Sequence, residues 1–184
     1  LSHNGGALTV GGFNNTLNTS AIQWTPLTTD TFYSIKIDSV GFGASDLVPT
    51  SGGRTIVDSG TTFVYFPLSV YNFLRDLLTK HNIPPSRCFS KSAIPPNLPN
   101  IVFLLGGDVR FDWPPSAYLF EHETNSYCLG FESNGNSSET ILGASWMIGK
   151  NIVFDYSDAK RLGIADAQCP SHFGREVSVS KEIP

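Results

Sequence analysis

Apolar residues come in short bursts along this chain, and most bursts end at glycine, proline or asparagine. That rhythm predicts short strands joined by turns. Ala7-Leu8-Thr9-Val10, closed by Gly11-Gly12, predicts the first strand, and residues 22–27 a second, stopped at Pro26. Residues 32–37 alternate with period two and predict a strand with one buried face; Val40-Gly41-Phe42-Gly43 reads as the returning arm of a hairpin, followed by a polar loop over 46–53. Thr55-Ile56-Val57 and Phe63-Val64-Tyr65-Phe66 predict two buried strands. Pro67 opens a helix that runs to about His81 and breaks at Pro84-Pro85; Leu68, Tyr71, Leu74 and Leu78, with Val70 and Leu77, keep helical spacing, and Tyr71 and Phe73 are expected in the core. Beyond it, 101–105 turns at Gly106-Gly107 and returns as 109–111, and further strands are expected at 118–120, 127–131 and 140–143. A helical turn or two is expected around Trp146, and 151–154 pairs with 161–165 around Ser157-Asp158. The pattern predicts a mainly β domain over 1–169 with one clear α-helix, and a polar, mobile tail over 170–184. There is no internal repeat.

The 184 residues, 40% hydrophobic and 15% charged, suit one folded domain with a core rather than a disordered chain. A formal net charge of −4 gives no basic footprint for nucleic acid, and no apolar run reaches membrane-helix length, so no membrane contact is expected from this segment. The sequence starts at Leu1, which predicts a processed chain or part of a longer one. The three cysteines, Cys88, Cys128 and Cys169, leave at least one without a mate in the chain. Asn14, Asn18 and Asn136 each begin an Asn-x-Ser/Thr site in a polar stretch. Together these features favour the secretory pathway, as a glycoprotein with disulfides, over a cytosolic chain with free thiols and chance sites.

The candidate chemistry lies in Ile56-Val57-Asp58-Ser59-Gly60-Thr61-Thr62-Phe63-Val64. An acid at the tip of a buried strand, flanked by hydroxyls on a tight turn that Gly60 permits, is how a chain builds a fixed, hydrogen-bonded carboxylate. Asp-Ser-Gly alone is ordinary turn chemistry. The apolar, β-branched and aromatic flanks set this one apart, because an acid between buried strands is costly unless it is hydrogen-bonded or shares its charge.

Asp58-Ser59-Gly60-Thr61 after an apolar pair resembles the active-site turn of pepsin-like aspartic proteases. Ile141-Leu142-Gly143 resembles the apolar-apolar-Gly segment that passes beside that turn as its supporting loop. Ile152-Val153-Phe154-Asp155 and Arg161-Leu162-Gly163-Ile164-Ala165 look like the family's closing strands, and Gly6 to Gly12, Trp24 to Leu27 and Tyr33-Ser34-Ile35 like its opening ones. The resemblance covers about residues 5–169 and is to the C-terminal lobe, half of a bilobal fold. It implies an aspartic endopeptidase, a zymogen-type protease of the secretory pathway, in which Asp58 and a second acid hold a water that attacks the peptide bond. Two acids a few ångströms apart share one proton and act as base and acid together. No second Asp-Thr-Gly or Asp-Ser-Gly occurs, since Asp30-Thr31 and Asp38-Ser39 lack the glycine. The resemblance therefore implies a heterodimer with a companion N-terminal lobe that carries the second acid and the flap, and a peptide or protein as substrate.

Carried over by position, Asp58 is catalytic and Ser59 forms the hydroxyl grip between lobes. Thr61 bonds the carboxylate's outer oxygen, Gly60 brings backbone close to acid and substrate, and Thr62 lines the cleft with Gly60 and Thr61. Cys88 and Cys128 occupy the places of the family's C-lobe disulfide. In the β-secretase-like, nepenthesin-like and plasmepsin V-like branches a cysteine at the place of Cys169 pairs with one just ahead of this lobe, which implies a bond from Cys169 to the companion chain. Trp113-Pro114-Pro115-Ser116-Ala117-Tyr118-Leu119 and Cys169-Pro170 look closest to the plasmepsin V-like and β-secretase-like proteases, some of which process exported proteins.

Other chemistry has less support. His3, His81, His122 and His172 have no metal-ligand spacing, and no metal or cofactor is expected. Glu121, Glu123 and Asp112 read as solvated acids, and neither Ser145 nor Ser59 has a positioned histidine. Two other readings stay open: an inactive protease-like binding or inhibitor module, and a symmetric homodimer of this chain.

Overall fold

The computed structural model describes residues 1–3, 5–29, 31–43, 46–50 and 52–169. The polar tail expected over 170–184 and His172 lie outside them. The protein is mainly β with one long helix. β1 (Gln23–Pro26) ends at the proline, as the missing amide dictates. The alternating run at 32–37 does not form one strand. Ser34 and Ile35 are buried side by side as β2 (Ser34–Ile35), exposed Lys36 breaks the run, and β3 (Ile37–Phe42) continues into a different sheet. Two consecutive buried residues mean that both faces of β2 are covered, which a period-two reading cannot anticipate. Val40-Gly41-Phe42 is the end of β3 rather than a returning arm; the return is β4 (Asp46–Pro49), where a polar loop was expected, with Val40 opposite Val48. Gly43, at φ +58°, begins the turn between them.

β5 (Thr55–Val57) and β6 (Val64–Phe66) flank the acidic turn. Pro67 stands just ahead of α1 (Leu68–Lys80), and its carbonyl accepts from the Tyr71 amide. Val70, Leu74, Leu77 and Leu78 are buried, each worth about 1.5–3 kcal/mol of transfer energy, and Tyr71 and Phe73 pack against the core. Leu68, included in the helical spacing, is 46% exposed, whereas Val70 in the same turn is buried. β7 (Cys88–Ser90), β8 (Ile101–Leu105) and β9 (Val109–Trp113) follow. A strand beginning at Tyr118 was expected; instead Pro115 opens a one-turn helix, α2 (Pro115–Tyr118), and β10 (Leu119–Glu123) starts after it. The apolar run 127–131 splits at Gly130 into β11 (Ser126–Leu129) and β12 (Phe131–Ser133). β13 (Thr140–Leu142), a 3₁₀ turn at Ala144–Met147, β14 (Lys150–Asp155) and β15 (Arg161–Asp166) are the last elements among the described residues.

The central sheet has the order β12-β6-β13-β5-β2, with β13 parallel to β5 and Leu142 opposite Val57. A second sheet runs β4-β3-β8-β9, and two three-stranded sheets run β1-β15-β14 and β10-β11-β7. Trp113, Trp146, Phe66, Phe103, Phe111 and Phe131 fill the space between layers, with Phe111 and Trp146 stacked at 4.1 Å. The strand expected at 7–10 is absent. Leu8 is 91% and Val10 85% exposed, because a strand exists only by pairing and nothing among the described residues pairs with this segment.

Cys88 and Cys128 face each other across β7 and β11 and are disulfide-bonded. The bond closes a loop with a sequence separation of 40. Replacing both cysteines by serine is expected to cost about 4 kcal/mol on the chain-entropy model. Urea midpoints of the two proteins under non-reducing conditions check this.

Candidate active site

The acidic turn is held from both ends by strand pairing. β5 delivers Asp58, whose amide donates to the Leu142 carbonyl at 3.0 Å, and the Thr61 amide closes the turn onto the Asp58 carbonyl at 3.2 Å. The carboxylate is then gripped by its own turn. Oδ1 accepts from the Gly60 amide at 2.9 Å, and Oδ2 from the Thr61 hydroxyl at 2.6 Å. Gly60 does not take the left-handed backbone that a tight turn suggested. What glycine gives is room, since a Cβ there would lie 3.2 Å from Asp58 Oδ1. Asp58 is half-buried, while Ser59, Gly60 and Thr62 are exposed.

Ile141-Leu142-Gly143 runs against this turn. A Cβ on Gly143 would lie 2.2 Å from the Phe63 carbonyl oxygen and 2.6 Å from that of Thr61, so only glycine fits. Just beyond, the Ala144 and Ser145 amides donate to the Thr61 and Thr62 carbonyls at 2.7 and 3.0 Å. The parts played by Ala144 and Ser145 are backbone bonds, and their side chains give no sequence signal for them.

Asp58 opens onto two cavities. One, of about 890 Å³, is walled by β14, by residues 7–14 and by Ser59; the other, of about 500 Å³, is apolar, with Phe32, Tyr33, Ile56, Ile141 and Tyr156 on its walls. A larger one, about 1250 Å³, lies between the proline-rich segment near Ile94 and β10, and Asp58 does not line it. Asp155 is the other acid on the Asp58 cavity wall. Its oxygens are taken. Oδ1 accepts from the Ser157 hydroxyl at 2.6 Å and amide at 3.1 Å, and Oδ2 from Arg161 Nε at 2.9 Å.

These bonds, the Ser157 hydroxyl first and Arg161 next, hold the Asp155 carboxyl below the ordinary carboxylate range. The folded state thus favours the ionised form, so the stabilisation is full above the unfolded value of about 3.9 and is lost as pH falls through the lower folded value. Asp155→Asn is expected to lower the urea midpoint at neutral pH, with the gap to wild type closing in strong acid. Midpoints measured across that range check the sign.

The family profile described as eukaryotic aspartyl protease matches residues 1–167. The chain belongs to the eukaryotic aspartyl protease family. Among relatives of this aspartyl protease chain, gastricsin of Mus musculus is 31% identical over 88% of the chain and 42% of its own length. Pepsin A of Sus scrofa is 29% identical over 83% of the chain and 38% of its own length, and pepsin A of Gallus gallus 32% identical over 79% and 38%. The chain thus spans about two-fifths of the curated relatives it matches. These relatives are pepsins and gastricsins, and the branch suggested by the Trp-Pro-Pro segment finds no support among them.

The remaining candidate positions scatter around the aspartyl protease core. Cys169 Sγ lies 3.2 Å from the Leu1 amino nitrogen. Asn14 and Asn136 are exposed; Asn18 is half-buried, and its carboxamide bonds both Asn15 and Asn151. Glu121 and Glu123 are exposed, and Asp112 pairs with Arg110. Among the described residues no His, Cys, Asp and Glu cluster could hold a metal. No described helix is long and apolar enough to cross a membrane.

Proposed function

We propose that this chain is the C-terminal lobe of an aspartic endopeptidase, and that it supplies Asp58 as one of two catalytic acids. The observation that carries the reading is the carboxylate fixed by Gly60 and Thr61 at the rim of an open face. The second acid comes from a companion N-terminal lobe, on the same chain or a separate one. Asp155 cannot take that part, because its oxygens are committed to Ser157 and Arg161.

The docking face supports the pairing. Leu8, Val10, Phe13, Tyr33 and Phe154 are exposed around the Asp58 cavities, and β14 is, among the described residues, one of the two edges of its sheet. Exposed apolar surface of this kind beside an open edge is suited to burial under another body. That the curated relatives extend well beyond the part this chain matches supports such a body. Ser59, exposed at the rim, is placed to meet it.

In the complete enzyme the two acids share a proton. The ionised one takes a proton from the bound water as its oxygen attacks the carbonyl carbon, and the protonated one donates to the carbonyl oxygen. Collapse of the tetrahedral intermediate returns a proton to the leaving nitrogen. Gly60, Thr61 and Thr62 line the substrate path, and the apolar 500 Å³ cavity takes a large apolar side chain next to the scissile bond. The substrate is a protein of the secretory pathway, where Asn14 and Asn136 carry glycans. Cys169 bonds a cysteine adjacent to Leu1 or on a companion chain.

The test joins this lobe to its companion. The pair is expected to cleave a peptide with a large apolar residue at the scissile bond, and a statine-type analogue to inhibit it. This lobe alone is expected to be inactive. Where the companion is a separate chain, Cys169→Ser is expected to release, on non-reducing gels, a covalent link present in wild type. A pair that binds peptide without cleaving it would support an inactive binding module instead.

A further inference from the structure

We propose that Ser145 is a positioning residue for the Asp58 turn. The inference rests on the peptidase reading and concerns what sets the height of Thr61 and Thr62 against the carboxylate.

Ser145 is buried, and its hydroxyl proton goes to a backbone carbonyl rather than to a base. Three bonds hold it. Its hydroxyl donates to the Gly130 carbonyl at 2.9 Å, its amide donates to the Thr62 carbonyl at 3.0 Å, and its carbonyl accepts from the indole N–H of fully buried Trp113 at 2.9 Å. The Gly130 carbonyl also receives the Val64 amide at 3.0 Å. One oxygen therefore fixes both β6, which leaves the acidic turn, and the 3₁₀ segment that supports it. Gly130 permits the approach, since a Cβ there would lie 3.3 Å from Ser145 Cβ.

The consequence reaches the acid through two neighbours. The 3₁₀ segment holds the Thr61 carbonyl through the Ala144 amide at 2.7 Å, and the Thr61 hydroxyl holds Asp58 Oδ2 at 2.6 Å. Removing the Ser145 hydroxyl orphans no buried group, because Gly130 keeps the Val64 amide and Trp113 keeps the Ser145 carbonyl. The fold survives the loss, but the segment loses its lateral anchor and Thr61 shifts with it. Small misplacements of a reacting group lower turnover more than they lower binding.

The experiment uses the complete enzyme, this lobe with its companion, and a fluorogenic peptide. For Ser145→Ala, kcat is expected to fall about tenfold with KM changed by less than about twofold, and the acid limb of the kcat profile against pH is expected to move. Trp113→Phe, which keeps one aromatic ring but removes the indole N–H and part of the buried volume, is expected to shift kcat in the same direction by less. Val109→Ala, a core truncation in the same strand as Trp113, is expected to lower the melting temperature without moving kcat. A Ser145→Ala enzyme with wild-type kcat and pH profile would overturn the inference, as would a kcat loss matched by Val109→Ala at equal loss of melting temperature. If the wild-type pair cleaves nothing, the peptidase reading itself fails, which is a separate result.

Discussion

Asp58→Asn in the complete enzyme is expected to lower kcat by at least about 10³-fold, the upper range of what a positioned acid–base group contributes. The substitution is nearly isosteric. Oδ1 still accepts the Gly60 amide, and the Thr61 hydroxyl can turn to accept from the new amide nitrogen, so the turn keeps both of its bonds. What is lost is the ionisable group. An amide cannot share a proton with the second acid, and no other described acid on the cavity wall is free to take over. Unchanged near-ultraviolet circular dichroism together with lost cleavage is the expected pair of results. Undiminished turnover in a purified Asp58→Asn pair would remove Asp58 from the chemistry.

Gly143→Ala carries the largest expected effect of any single substitution on stability. The new methyl would sit 2.2 Å from one backbone oxygen and 2.6 Å from another, and neither belongs to a side chain that can swing away. Either the supporting segment or the acidic turn must move, with loss of the Ala144 and Ser145 amide bonds to Thr61 and Thr62. A cost of about 3 kcal/mol or more follows, at the upper end of overpacking effects. For a domain of this length that lowers the melting temperature by roughly 10 °C. Thermal unfolding by circular dichroism measures it. A shift below about 2 °C would show that the turn and its support are looser than their contacts imply.

The contrast between Gly143 and Gly60 shows what the chain announces and what it hides. Both stand out in sequence, one after an apolar pair and one inside Asp-Ser-Gly-Thr. The turn motif suggests that Gly60 is needed for its backbone angles, whereas its place is set by closeness to the Asp58 oxygen. Gly143 needs to be glycine because of carbonyls some eighty residues earlier in sequence, at Thr61 and Phe63, and no local signal carries that.

The sequence by itself determined the strands whose burial repeats along the chain, the helix after Pro67, and the acidic turn with its hydroxyls. These depend on neighbours within a few residues, so period and turn chemistry report them. Tertiary structure alone decided that 32–37 divides between two sheets, that 46–49 is a strand, that 7–10 is not one, and that Ser145 bonds both Gly130 and Trp113. Each of those depends on which distant segment lies alongside. A strand needs a partner, and a buried hydrogen bond needs both of its ends brought together.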